Sequence, residues 1–213
     1  MTKKNFHFLL VEAHRVEICG GIASGKTTLA TLLNRIFLFP IHENFQSNPF
    51  WKAFYADPVS TAFETEISFL LQHYHEIKIA IKQTKAFACD FSPLLDLAYA
   101  QVTLNNSKRE AFTVVYREIQ RELPAPDLVI HLACDPEIEL ERIRRRGRDV
   151  EQSLTVDYLA ALNRALGDVL REEAKSPNVI TIDSAIVDFA NNEADRQTVI
   201  ETVRFRLAQT VGS

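Results

Sequence analysis

The chain has 213 residues, 46% hydrophobic and 24% charged, enough to bury one sizeable core in a single domain spanning 1–213 and too few for two independent ones. Its formal net charge of -4 argues against a role in binding nucleic-acid polymers, which depends on clustered Lys and Arg. The apolar run that follows Lys3 and Lys4 meets Glu12 too early to span a membrane, and no secretory leader is read over residues 1–11.

The first strand is expected over residues 16–19. It runs into Gly20-Gly21-Ile22-Ala23-Ser24-Gly25-Lys26-Thr27, a G-x-x-x-x-G-K-T phosphate-binding loop. The glycines let successive N–H groups turn inward on phosphate oxygens at a helix N-terminus. Lys26 adds a mobile charge for the β- and γ-phosphates, and the Thr27 hydroxyl can ligate Mg²⁺. Residues 28–36, starting with Thr28, carry apolar side chains at helical spacing, so the motif sits between strand and helix as it must.

Further strands are expected over 37–43, 85–90, 127–134 and 178–183, with helical stretches between them. That alternation predicts a parallel sheet with helices on both faces, whose ligands gather at the carboxyl ends of the strands. Asp57-Pro58 and Asp135-Pro136 open helices with an Asp cap and Pro in the first turn. Two more helical stretches lie between 92 and 123, broken near 105–107, and a last amphipathic one covers 195–210. Cys19, Cys89 and Cys134 cannot all pair and match no zinc spacing. They read as small buried thiols at strand ends, in a reduced cytoplasm.

Three constellations carry chemistry. Glu43 ends the second predicted strand, where a carboxylate can accept the proton of an attacking hydroxyl; a polar strand terminus is the plainer account. Asp90 ends the third, as a Mg²⁺-side acid or as a helix N-cap. Arg142, Arg144, Arg145, Arg146 and Arg148 crowd around Gly147. They form either a solvated helix face or, preferably, a lid hinged at the glycine that closes on the transferring phosphate. Trp51 reads as a packing or cleft-lining aromatic. His73 and His75, two apart on a helix, make a poor metal pair.

The loop at 20–27, His42-Glu43-Asn44, Asn48-Pro49-Phe50, Phe54-Tyr55-Ala56-Asp57-Pro58, Phe63 before a long helix, Asp90, and the run from Glu141 to Arg148 together resemble the bacterial deoxynucleoside kinases. The resemblance covers residues 14–185 and implies a three-layer α/β fold of the P-loop NTPase kind. Its five-stranded parallel sheet is flanked by helices and carries an arginine-rich lid over about 142–152. It implies ATP and Mg²⁺ as cofactors, with Glu43 as the general base for the 5′-hydroxyl of the deoxyribose. Tyr55 and Glu151 would hold the 3′-hydroxyl. Asp90 and Thr27 would organise the metal, with Arg142, Arg146 and Arg148 around the ATP phosphates. The segment after Asp183, Ser184 to Asp188, would wrap the adenine, with Asp183 counted among the cofactor-binding residues. A homodimer built on residues 60–80 and 107–122 is implied as well.

Two positions depart from the pattern. Phe91 stands where the family has an arginine beside the catalytic carboxylate, so that either Arg109, Arg117 or a lid arginine compensates or the activity is weak. Glu64 stands where the family has a base-reading Gln. An ionised carboxylate accepts two hydrogen bonds, which suits the adjacent N–H donors of guanine and points to deoxyguanosine; a solvated helix turn is the alternative. Two other functions stay open: a thymidylate-type monophosphate kinase, and a degenerate homologue that binds nucleotide without turning it over.

Overall fold

A computed structural model describes residues 14–84, 86–173 and 178–210; the leader reading at 1–11 and the first residue of the strand expected at 85–90 lie outside them. β1 (His14–Gly20), β2 (Phe39–Ile41), β3 (Ala86–Cys89), β4 (Leu128–Ala133) and β5 (Val179–Asp183) form one parallel sheet in the order β2-β3-β1-β4-β5. The helices are α1 (Lys26–Leu33), α2 (Trp51–Ala56), α3 (Pro58–Gln83), α4 (Pro93–Thr103), α5 (Asn106–Glu122), α6 (Pro136–Arg146), α7 (Val156–Glu173) and α8 (Glu193–Thr210). Among the described residues no helix is long and apolar enough to cross a membrane.

The pleat of β1 divides the molecule into three layers. Val16 and Ile18 point into a core shared with Leu29 and Leu33 of α1 and Val199 and Val203 of α8. Cys19 points the other way, into a core built with α3, α4, α5 and α7. A strand buried on both faces reads as a near-continuous apolar run, as β4 does, whereas β1 interrupts its run with buried Arg15 and Glu17 and is marked by the loop that follows it. Ile18 is fully buried in the central strand, and truncation there to Ala would cost about 2–5 kcal/mol.

The predicted helix starts hold. Asp57 accepts the N–H of Ser60 at 3.3 Å and Asp135 that of Glu137 at 2.8 Å, each before a proline. Ser92, not Asp90, caps α4, accepting the Leu94 N–H at 3.2 Å; the cap account of Asp90 therefore falls. β2 begins two residues later than expected because Phe37 turns left-handed (φ 67°) to close a 3₁₀ turn. Glu43 thus lies beyond the strand rather than at its end. α2 and α7 go beyond the expected helices, although Leu159, Leu162, Leu166 and Val169 of α7 recur at helical spacing and are all buried. Cys19 and Cys89 are buried thiols; Cys134 is only half-buried.

Under the sheet, buried Glu17 accepts the Ser92 hydroxyl at 2.7 Å and pairs with buried Arg15. This network anchors the start of α4, and with it the turn 90–92, to the central strand. β1 lies between β3 and β4, where the strand order reverses, so the crevice beyond Gly20 is the expected ligand site.

Candidate active site

A cavity of about 730 Å³ opens at that crevice, bounded by the loop 22–28, Glu43, Tyr55, α3, the arginines of α6 and the segment 184–191. The loop enters α1 through Gly25, whose φ of 103° no side chain tolerates without strain. Lys26 Nζ donates to the carbonyls of Gly20 at 3.0 Å and Gly21 at 2.9 Å. Burial pulls its pKa down, opposed by Glu43, Asp90 and Glu139. Ile22, Ala23, Ser24, Gly25, Lys26, Thr27 and Thr28 line the cavity; Gly20 and Gly21 lie behind its wall. Gly21 is pressed on fully buried Glu139, so a Cβ there would meet Glu139 Oε1 at 1.9 Å. Asn163 Nδ2 donates to the other Glu139 oxygen at 3.1 Å, and burial pushes this carboxyl up to about 7.

Glu43 is held from two sides. Its N–H donates to Asp90 Oδ1 at 2.6 Å, and its Oε1 lies 3.2 Å from His73 Nε2. Burial would raise its pKa, but His73, Lys26 and Arg148 outweigh it and hold the carboxylate below the usual range. Asp90 Oδ2 lies 3.2 Å from His42 Nδ1, so both Asp90 oxygens are engaged in fixing the residues that follow β2.

The opposite wall is aromatic and cationic. Trp51 packs on Phe45 with ring centroids 4.7 Å apart and on Tyr55 edge-on at 5.9 Å. Burial, with the Glu151 charge, raises the Tyr55 phenol, which stays protonated. Glu151 is 3% exposed and takes both Arg146 and Arg148, the latter at 3.1 Å; Arg148 also lies 4.3 Å over the Phe45 ring. Arg142 reaches away from this pair, donating to the Ser184 carbonyl at 2.7 Å, and so ties the segment 184–191 to α6. Gly147 is the left-handed C-cap of α6 (φ 70°), ending the helix between Arg146 and Arg148 instead of interrupting it.

Besides Gly20 and Gly21, four expected positions fall outside the cavity. Glu64 is exposed and lies off its wall, because α3 turns Thr65, Glu66, Phe69 and His73 inward instead. Asp183 is exposed and accepts the Ala185 N–H at 2.9 Å, shaping the turn whose later residues line the cavity. Arg109 donates to the Gln101 carbonyl and to Asn106, and neither it nor Arg117 borders the cavity.

What sequence reasoning missed lies on α3 and α4. Glu66, 4% exposed, accepts the Thr103 hydroxyl at 3.0 Å, and burial pushes it up to about 8. His73 is 2% exposed, with Nδ1 3.0 and 2.9 Å from the two oxygens of Asp96. The spacing 66, 69, 73 marks one helical face, a signal the His73–His75 comparison hides. Among the described residues no group of three His, Cys, Asp or Glu is placed to hold a metal.

The model of the deoxynucleoside kinase family matches residues 16–207. The chain belongs to the deoxynucleoside kinase family. This kinase is 28% identical over 200 residues to the deoxyguanosine kinase of Bacillus subtilis (strain 168), covering 89% of this chain and 95% of that one. It is 29% identical over 185 residues to the deoxyadenosine kinase of Dictyostelium discoideum, covering 84% and 76%. The kinase shares its fold with the deoxyadenosine kinase of M. mycoides. With bound dCTP the TM-score is 0.75, at 18% identity over 88% of this chain and 97% of the other; with bound dATP it is 0.74, at 22% identity over 91% and 98%. The family match and these relatives make the chain a phosphotransferase of the deoxynucleoside kinase kind.

Proposed function

We propose that this kinase transfers the γ-phosphoryl of ATP, with Mg²⁺, to the 5′-hydroxyl of a purine deoxynucleoside. The observation that carries the reading is the shared cavity: the Glu43 carboxylate and the Lys26 loop face the same 730 Å³ space, an acid beside a phosphate cradle. Glu43 takes the hydroxyl proton. In a loose phosphoryl-transfer transition state, where orientation and charge stabilisation dominate, a carboxylate fixed by Asp90 is worth more than a strongly basic one.

Lys26 and the arginines meet charge developing on the transferred group, and residues 142–152 act as the lid. Tyr55 and Glu151 hold the sugar 3′-hydroxyl, with Trp51 lining its side. The segment 184–191, docked by Arg142, lies along the adenine of ATP, with Asp183 shaping its entry. For Mg²⁺ the hard hydroxyl oxygen of Thr27, exposed beside the loop, fits a cation that takes one or two protein oxygens and completes its shell with phosphate and water. When bound, the metal neutralises phosphate charge. Asp90, with both oxygens engaged, we assign to holding Glu43.

Glu64, exposed and off the cavity wall, is not placed to read guanine. Glu66 takes its place: a protonated, buried carboxyl offers a donor beside an acceptor, which pairs with adenine or with the O6/N1–H edge of guanine. Exposed Leu71 on α3 and Val114 on α5 support a homodimer through those helices, and the unpaired thiols support a cytoplasmic setting.

The test is a phosphorylation screen of deoxynucleosides and their monophosphates with ATP and Mg²⁺, run on wild type and Glu43→Gln. The reading expects purine deoxynucleosides to be turned over. Glu43→Gln should lower kcat about 10²–10⁴-fold with ATP affinity kept. Turnover undiminished in the variant would place the base elsewhere.

A further inference from the structure

Phe91 removes an arginine from the neighbourhood of Glu43, and the cation there is a histidine. The His73 imidazole lies parallel to the Phe91 ring, with centroids 4.2 Å apart and planes 10° off, and stacks at 5.8 Å on Phe69. Nδ1 faces both Asp96 oxygens and Nε2 faces Glu43 Oε1. A ring with both nitrogens turned to carboxylates can satisfy both only by donating from both, which is the imidazolium.

From this geometry we propose that His73 is a positioning residue for Glu43: its imidazolium, oriented by Asp96 and clamped between Phe69 and Phe91, aims the Glu43 carboxylate into the cavity. The proposal rests on the reading of Glu43 as base. It explains how the chain tolerates Phe91: the flat ring that excludes an arginine also supplies the face on which a planar cation stacks.

Burial raises the Asp96 carboxyl, and the charge and hydrogen bond of His73 oppose that rise. Asp96 faces His73 from α4 and Glu43 from the segment after β2, with Glu66 nearby on its own helix. Lys26 and Arg148 approach Glu43, and Glu17 lies towards Asp96. Burial alone would discharge the ring; Asp96 and Glu43 reverse that and push its pKa up to about 10.

Two measurements decide the matter. The His73 imidazole is followed by NMR from pH 5 to 10 in wild type and in Glu43→Gln. A positioning pair keeps the wild-type ring charged past pH 8 and lowers its midpoint in the variant. Kinetics of His73→Gln should show kcat down about 10- to 100-fold, the loss of one charge-assisted hydrogen bond, with KM for ATP unchanged. His73→Arg, a cation at every pH, should regain turnover over His73→Gln. A His73 that titrates near the ordinary ~6.5, or whose midpoint ignores Glu43→Gln, overturns the proposal, as does His73→Gln with wild-type kcat. Should His73→Gln fail to fold, the titration decides alone. Failure of the base reading looks different: Glu43→Gln keeps wild-type turnover while the His73 midpoint still moves.

Discussion

The N–H of Glu43 donates to Asp90 Oδ1 at 2.6 Å, so the residue that follows β3 sets the position of the one that follows β2. A charge-assisted bond of this kind contributes about 1.5–3 kcal/mol. Asp90→Ala should therefore lower kcat about 10- to 100-fold while circular dichroism and ATP affinity stay near wild type. Unchanged kcat would mean that Glu43 keeps its place without Asp90.

Glu151 is the common acceptor of Arg146 and Arg148, with 3% of its side chain exposed. Replacing it with Gln leaves two guanidinium groups, each about one-third exposed, without their counter-charge. Breaking a fully buried pair costs about 3–5 kcal/mol; partial exposure of the arginines reduces this to about 1–3 kcal/mol here. Urea denaturation should register that loss, and steady-state kinetics a raised KM for the deoxynucleoside if Glu151 also holds the sugar.

Gly21 has no room for a methyl group, since Glu139 Oε1 and Asn163 Oδ1 would lie 1.9 and 2.6 Å from it. Gly21→Ala should push the loop out of register and abolish measurable phosphorylation. The double variant Gly21→Ala/Glu139→Ala clears the nearest obstacle and should recover part of it. Equal inactivity of both would place the cause in the backbone of Gly21 rather than in the collision.

Glu66 links stability to pH. Its carboxyl, near 4.5 when unperturbed, is pushed up to about 8 by burial. Below pH 4.5 both folded and unfolded chains hold the proton. As pH rises towards 8 the unfolded chain releases it first, so stability falls across that window and levels off above it. The fall attributable to Glu66 is on the order of a few kcal/mol. Urea midpoints at pH 5 and 8 should differ in wild type and differ less in Glu66→Gln.

The residues most legible in the sequence are those whose role is local. The loop 20–27 declares itself because glycine and lysine spacing encode its geometry directly, and the capped starts at Asp57 and Asp135 follow from neighbouring residues alone. Val16 and Ile18 announce a buried strand by composition. The errors have the opposite character. Choosing between Glu64 and Glu66 requires the rotation of α3 about its axis, which a motif aligned on Phe63 does not contain. His73 acquires meaning from Asp96, 23 positions on, and from Glu43, 30 positions back. Such pairings are set by how α3 and α4 cross the sheet, and no window along the chain holds both partners. Phe91 shows the same limit: a lost arginine is visible in the sequence, its substitute only in space.

The chain contains a single tryptophan, and the fold seats it on the cavity wall between Phe45 and Tyr55. All indole emission from this enzyme therefore arises at the wall of that cavity. The protein carries its own optical reporter, so occupancy of the site can be read as a change in intrinsic fluorescence, without label or coupled assay.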